Sequence, residues 1–439
     1  RHHRGRAGMA DGEQEEAKAK PQGFEGVAFD DKLRVYYSRL FPYQPMYRWL
    51  SYGGAAQGAQ AGDGFSRREF SFTLANDIYI RYLSYQDADE WKADMVSKLP
   101  HKMDLGAVYT AQPKQKAFIS KDGFKEVERE FVIDIDLTDY QEEKIIITNC
   151  LDPGNESFKC SFRFMAVAVR VLDLALREDF GFEEIFWVFS GRRGVHCWVA
   201  DARARKMSNQ VRSSVAEYLN VFKGGDKDKT KMAAVSGGLH PALRRATREI
   251  EEAFEDMVGE QKWMDADRIE ILAAHVPDEK TRDTIVERLT RKEWKNRDPL
   301  DKWDELKKIV TKASQAGTIK GEEVLTQIMF YLCYPRLDIN VSKCMNHLLK
   351  APFVVHPKTQ RICVPLDPKR IHDFDPTTVP TLNDILNELD SSTAVAGGRD
   401  IDRTALASHV KTFERTFLKS AEKSAAAARF AANQAVAAF

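Results

Sequence analysis

Within FVIDIDL, residues 131–137, apolar and acidic positions alternate. Period two belongs to an extended strand, so Asp134 and Asp136 are expected on one face and Ile133 and Ile135 on the opposite, buried one. Further along, FWVF and VHCWV flank the turn residues Ser190, Gly191, Arg192, Arg193 and Gly194. Two β-rich runs around such a turn predict a hairpin. RLDIN repeats the alternation and predicts a second short strand with Asp338 and Asn340 on one face. From Lys206 to about Leu332 the period becomes helical, as in HPALRRATREIEEAFEDMV and DKWDELKKIVTKA. Trp263, Trp294 and Trp303 in that stretch read as core residues at helical spacing rather than as stacking platforms.

These patterns predict a mixed α/β fold whose sheet carries both acidic strands. Its core comes in two parts, residues 31–205 and 333–382, interrupted by an inserted helical subdomain at 206–332. Residues 1–30 are polar and aperiodic and are expected to be disordered, with Met9 a candidate initiator. AAQGAQAGDG, residues 55–64, reads as a loop of small residues. After Leu382 the pattern turns helical again and ends in the Ala-rich KSAEKSAAAARFAANQAVAAF, a peripheral helical tail at 383–439.

Composition adds bounds. The chain has 439 residues, 43% apolar and 30% charged, which describes an ordinary globular protein with room for two or three domains. No apolar run reaches the roughly 18 residues of a membrane helix. Its 6 cysteines show no close pairing, which favours a reducing compartment. The 66 basic and 66 acidic residues cancel, whereas a dedicated nucleic-acid binder is often strongly basic.

The chemistry lies in the acidic and basic clusters. Two carboxylates a pleat apart repel, and a divalent cation is their natural third partner. Asp338 supplies a third carboxylate. Such oxygen ligands suit Mg2+ or Mn2+, and two such ions roughly 3.5–4 Å apart can stabilise both the attacking and the leaving oxygen of a phosphoryl displacement. An isolated DxD is more often a solvated turn, but the apolar flanks and the third aspartate favour the metal site. In the hairpin, glycines let backbone amides approach an anion, and the Arg192 and Arg193 forks match phosphate oxygens. His196 can add a donor, so this turn reads as a triphosphate site.

IDIDLTDY, SGRRGVHCWV, PRLDINVSK and HLLKAPFVVHPKT, in this order, closely resemble motifs of the catalytic small subunit of eukaryotic DNA primase, in the archaeo-eukaryotic primase superfamily. The resemblance runs from about Val35 in VYYSRLFPY to DFDPTTVPTL near Leu382. It implies a primase that makes short RNA primers on a single-stranded DNA template, for replication initiation and lagging-strand synthesis. Asp134, Asp136 and Asp338 match its metal triad. Ser190, Gly191, Arg192, Arg193, Gly194, Val195 and His196 match the segment that holds the incoming nucleoside triphosphate. His347, Leu348, Leu349, Lys350 and His356 match the nucleotide-binding segment after the third aspartate. Glu69, Tyr79, Arg81 and Asp104 fall on motifs near the catalytic centre, and Asn340 is a further substrate-contact candidate.

The resemblance also implies an iron–sulfur large subunit and the DNA polymerase α complex as partners, and residence in the nucleus. Its balanced charge predicts weak or partner-assisted template binding. One departure stands out: the family usually carries four zinc-ligating cysteines before the SGRRG turn, and NCLDPGNESFKCSF holds only Cys150 and Cys160, with Ser157 where a third would fall. Structural zinc takes four ligands, so tight zinc binding is not expected. A stand-alone primase-polymerase and a non-catalytic scaffold descended from a primase are the rival readings.

Overall fold

The computed structural model describes residues 23–52, 63–142, 145, 151, 153–221, 239–393 and 397–437. Most of the N-terminal stretch expected to be disordered, most of the small-residue loop and Cys150 lie outside them. The fold is mixed α/β, built on two antiparallel sheets. The first has the order β2 (Tyr79–Leu83), β1 (Arg68–Thr73), β3 (Lys102–Tyr109), β4 (Glu126–Glu128), with β8 (Leu349–Lys350) also pairing with β3. The second runs β5 (Phe131–Asp136), β7 (Gly194–Val199), β6 (Ile185–Phe189), β9 (Pro365–Leu366).

The FVIDIDL strand forms as its period predicts, and the FWVF/VHCWV hairpin as its β-rich runs and turn residues predict. All of β6 and β7 is buried, because a helix, Phe158–Glu178, covers one face of this sheet. Phe162, Met165, Val169, Leu172 and Leu176 recur at helical spacing on its buried side. Asp173 on the same helix accepts the Trp187 indole N–H at 3.0 Å, so the buried indole keeps a partner.

RLDIN is not a strand. Asp338 is the N-cap of a short helix, Ile339–Lys343, and its carboxylate accepts the Asn340 N–H at 3.1 Å. The helix is held to β5 by two long-range bonds, Asp338 N–H to the Asp134 carbonyl at 3.2 Å and Ser342 Oγ to the Val132 carbonyl at 2.6 Å. A capping aspartate followed by a helical turn satisfies the backbone here better than a lone edge strand could. The acidic cluster is therefore one strand plus one helix N-cap, not two strands.

The described residues between Asn209 and Cys333 are mostly helical, and Trp263 and Trp303 are buried in the core of these helices, Trp294 partly. The C-terminal segment is not wholly peripheral. Phe413 and Phe417 are buried against Trp49 and Phe186, completing an aromatic cluster over β6. The Ala-rich end is the helix Lys419–Ala437, anchored by Arg48 to Glu422 and by Ser424 to Glu184. No helix among the described residues is long and apolar enough to cross a membrane.

A buried ion pair links the sheets. Arg68 of β1 donates to both oxygens of Glu130, which leads into β5, at 2.8 Å each, and both side chains are fully buried. Tyr52 also donates to Glu130, and Arg68 and Arg129 reach the β3 carbonyls of Gly106 and Leu105.

Candidate active site

β5 presents the Asp134 and Asp136 side chains, 32% and 40% exposed, while Ile133 and Ile135 are buried behind them. The bond from Asp338 N–H to the Asp134 carbonyl brings the third aspartate alongside. Thr138, from the same IDIDLTDY motif, donates through both its N–H and Oγ1 to Asp136 at 2.8 Å, fixing that carboxylate's rotamer. Partial burial pushes the Asp134 carboxyl up to about 7, aided by the charges of Asp136 and Asp338 and opposed by Lys350. Burial is the larger cause of that upward shift, and the neighbouring carboxylates add to it. Among the described residues, no three Asp, Glu, His or Cys side chains, the three aspartates included, stand close enough together to hold a metal ion. The all-oxygen donor set and the mutual repulsion nonetheless fit a hard divalent cation, which would relieve both.

Facing the aspartates across the β5–β7 ladder is the hairpin turn, with Asp134 opposite His196 and Asp136 opposite Gly194. His196 Nε2 lies 3.5 Å from Asp134 Oδ1, and Arg193 Nε lies 3.6 Å from Asp136 Oδ1. Each glycine of the turn has a steric reason. Gly191 sits at φ +84° with His356 Cβ only 2.8 Å from where a Cβ would be. At Gly194 a Cβ would fall 2.3 Å from the Ile135 carbonyl oxygen. Ser190 closes the turn, its Oγ accepting the Gly194 N–H at 3.0 Å.

The segment after Asp338 locks onto this turn. Lys350 Nζ donates to the Ser190 carbonyl at 2.6 Å, as does the Cys363 thiol at 3.2 Å, and Thr359 Oγ1 donates to the Gly191 carbonyl at 2.6 Å. His356 is brought against Gly191 and near Arg192. Burial holds both His196 and His356 down at about 3, with Lys350 pushing the same way and Arg192 adding to the effect at His356. Both rings are neutral at physiological pH, and the buried His196 Nδ1 has no hydrogen-bond partner among the described residues.

A second group stands on the other sheet. Glu69 is fully buried and accepts from Arg81 Nε at 2.9 Å, Tyr109 Oη at 3.0 Å and Tyr82 N–H at 3.3 Å. Glu69 thus holds Arg81 in place. Asp104 lies opposite Lys350 in the β3–β8 pairing, its carboxyl raised by burial against the pull of Lys102 and Lys350. Tyr79 is half exposed, its hydroxyl 3.3 Å from Ser71.

The remaining candidates are placed less centrally. Val195 and Leu349 bury their side chains in the core, and Leu348 lies over Gly106 and Glu69. His347 and Asn340 are exposed, and Asn340 bonds Asp338 through its backbone. Thr138, Thr359, Tyr109 and Cys363 were missed in the sequence, although the first two stand inside motifs already singled out. Of the cysteine pair, Cys160 is a half-buried free thiol on the helix Phe158–Glu178.

Comparison with known proteins shows the family. The family model described as DNA primase small subunit matches residues 133–368, which hold all three aspartates and the turn. The chain is 41% identical to the DNA primase small subunit of Drosophila melanogaster over 372 residues, 82% of each chain. It is 36% identical to that of Schizosaccharomyces pombe, over 84% of this chain and 80% of the relative, and 30% identical to that of Saccharomyces cerevisiae, over 87% and 90%. With the model covering over half the chain and these relatives matched over most of their length, the chain belongs to the DNA primase small subunit family.

Proposed function

We propose that this chain is the catalytic subunit of a DNA primase, a nucleotidyltransferase that synthesises short RNA primers from nucleoside triphosphates on a single-stranded DNA template. The observation that carries the reading is the β5–β7 ladder, which sets the Asp134–Asp136 face directly against the Arg193–His196 turn. Asp134, Asp136 and Asp338 would hold Mg2+ or Mn2+. When bound, a pair of such ions supplies charge for the attacking and leaving oxygens.

The protein's own groups do the positioning. Arg192, Arg193 and the turn amides hold the triphosphate, and the neutral His196 adds an N–H donor without adding charge. Lys350, tied to the Ser190 carbonyl, stiffens the turn and supplies a cation beside it. Pre-orientation of this kind contributes to rate because the polar groups need not reorganise during reaction.

An iron–sulfur large subunit, the DNA polymerase α complex and a nuclear setting are the partners and place this reading favours. The incomplete cysteine motif, with Cys150 and Cys160 alone, argues against a tightly bound structural zinc. The test is template-dependent ribonucleotide incorporation by the purified chain, with and without a large subunit. Asp136→Asn should retain the fold by circular dichroism yet lose at least about 100-fold in rate. Wild-type incorporation by that variant in Mg2+ would overturn the assignment.

A further inference from the structure

Beside the second group lies a cavity of about 340 Å³ that the catalytic reading leaves unused. Arg81, Tyr82, Lys116, Lys121, Phe124 and Asn346 line it. Tyr109 also faces it, with its ring stacked on Phe124 at 4.2 Å between centroids. The cavity is joined to the active site by short links: Arg81 and Tyr109 both bond Glu69, and Asn346 directly precedes the His347–Lys350 run.

A backbone irregularity builds this wall. Neighbouring residues of a regular strand point to opposite faces, yet Arg81 and Tyr82 both line the cavity. Tyr82 adopts φ +62°, a conformation that an aromatic residue rarely takes, and the β1–β2 register slips nearby between Phe70 and Phe72. Strain of this kind persists where the surroundings enforce it and gathers at functional sites. Lys116 Nζ then sits 3.5 Å from the Tyr82 ring centroid.

The segment over the cavity is basic and aromatic. Between Pro113 and Lys125 it holds Lys114, Lys116, Lys121 and Lys125 against a single acid, Asp122. Lys114 pairs with Glu90 and Lys125 with Asp122, whereas Lys116 and Lys121 make no ion pair among the described residues. Phe118, on the same short helix as Lys116, is 91% exposed.

We infer that this cavity and the Phe118 surface form a track for single-stranded nucleic acid, the unpaired stretch of the strand being copied, a reading that rests on the proposed primase activity. Dispersed lysines suit a phosphodiester backbone, and exposed or edge-lined rings suit unstacked bases. A free triphosphate fits worse: the cavity offers no glycine turn of converging amides, and the Glu126 carboxylate in its wall opposes concentrated negative charge. A duplex fits worse still, since its base faces are already covered.

Fluorescence anisotropy of labelled oligo-dT with the full chain, from 50 to 200 mM KCl, tests the inference. The triple variant Lys116→Ala, Phe118→Ala, Lys121→Ala changes only exposed side chains and should fold normally. It should bind roughly tenfold more weakly at low salt, with a log–log salt slope shallower by about 1.4, two contacts at ~0.7 each. Its KM for nucleotide should stay at the wild-type value, and Asp136→Asn should bind the oligonucleotide normally whatever its rate. An unchanged salt slope would overturn the track. So would unchanged oligonucleotide affinity with a raised nucleotide KM, which would mark the cavity as a triphosphate site.

Discussion

If the proposed cation binds beside Asp134, the proton affinity of that carboxyl would set how the site meets it. With that carboxyl pushed up to about 7, a divalent ion binding below that pH must displace a proton. Apparent Mn2+ affinity should therefore fall by up to about tenfold per pH unit below 7 and level off above it, as titration calorimetry at pH 6 and 8 can read. Equal affinities would mean that Asp134 is not a ligand. The same shift affects stability, since a carboxyl raised above its unfolded value near ~3.9 opposes folding where it is ionised. The penalty is full above pH 7 and relaxes as pH falls towards 4. Without metal, Asp134→Asn should raise Tm at pH 8, by an amount worth about 1 kcal/mol, and leave it unchanged near pH 4. A lower Tm at pH 8 would show that the carboxylates are not crowded.

At the scale of elements, the hairpin and β5 act as one unit, and Gly194 is the contact that lets them close. A methyl there meets the Ile135 carbonyl oxygen at 2.3 Å, so Gly194→Ala must spread β5 from β7. The expected cost is about 1–3 kcal/mol in stability. Incorporation should drop about 100-fold or more, since displacement by about an ångström separates the turn from the aspartates. Retained kcat with a lowered unfolding midpoint would confine the residue to packing. β5 was legible because its residues keep period two, and the hairpin because two β-rich runs flank a cluster of turn residues. RLDIN was not, because so few alternating residues fit a single helical turn as well as a strand. The deciding bonds, to the carbonyls of Val132 and Asp134, come from an element some two hundred positions away in the chain. The C-terminal aromatics were misread for the same reason: KTFERTFLKS is amphipathic, but only the fold shows that Phe413 and Phe417 cover Trp49 and Phe186. Phe417→Ala should cost about 3–5 kcal/mol in chemical denaturation, against almost nothing for a detached tail.

The whole molecule divides its candidate site between two sheets, with Asp134, Asp136 and the turn on one, Asp338 on a helix N-cap held to it, and Glu69, Arg81, Asp104 and Lys350 on the other. Their relative placement rests partly on the buried Arg68–Glu130 pair, whose members stand 62 positions apart. Sequence alone gives no sign of it, since charged residues are ordinarily expected in solvent. Burial alone would raise the Glu130 carboxyl, but the charge and hydrogen bonds of Arg68, with the Tyr52 hydroxyl, hold it at about 2. A folded value below the unfolded ~4.3 gives stability that is full above that pH and lost as pH falls towards 2. Glu130→Ala strands the Arg68 guanidinium in the interior, which should cost about 3–5 kcal/mol at pH 7 and flatten the acid limb of the stability profile. Arg68→Met combined with Glu130→Leu removes both charges and should recover most of that loss. If the pair serves alignment as well as stability, the double variant will refold to near wild-type midpoint yet incorporate nucleotide more slowly. A double variant with full activity would show that β-sheet packing alone aligns the two halves.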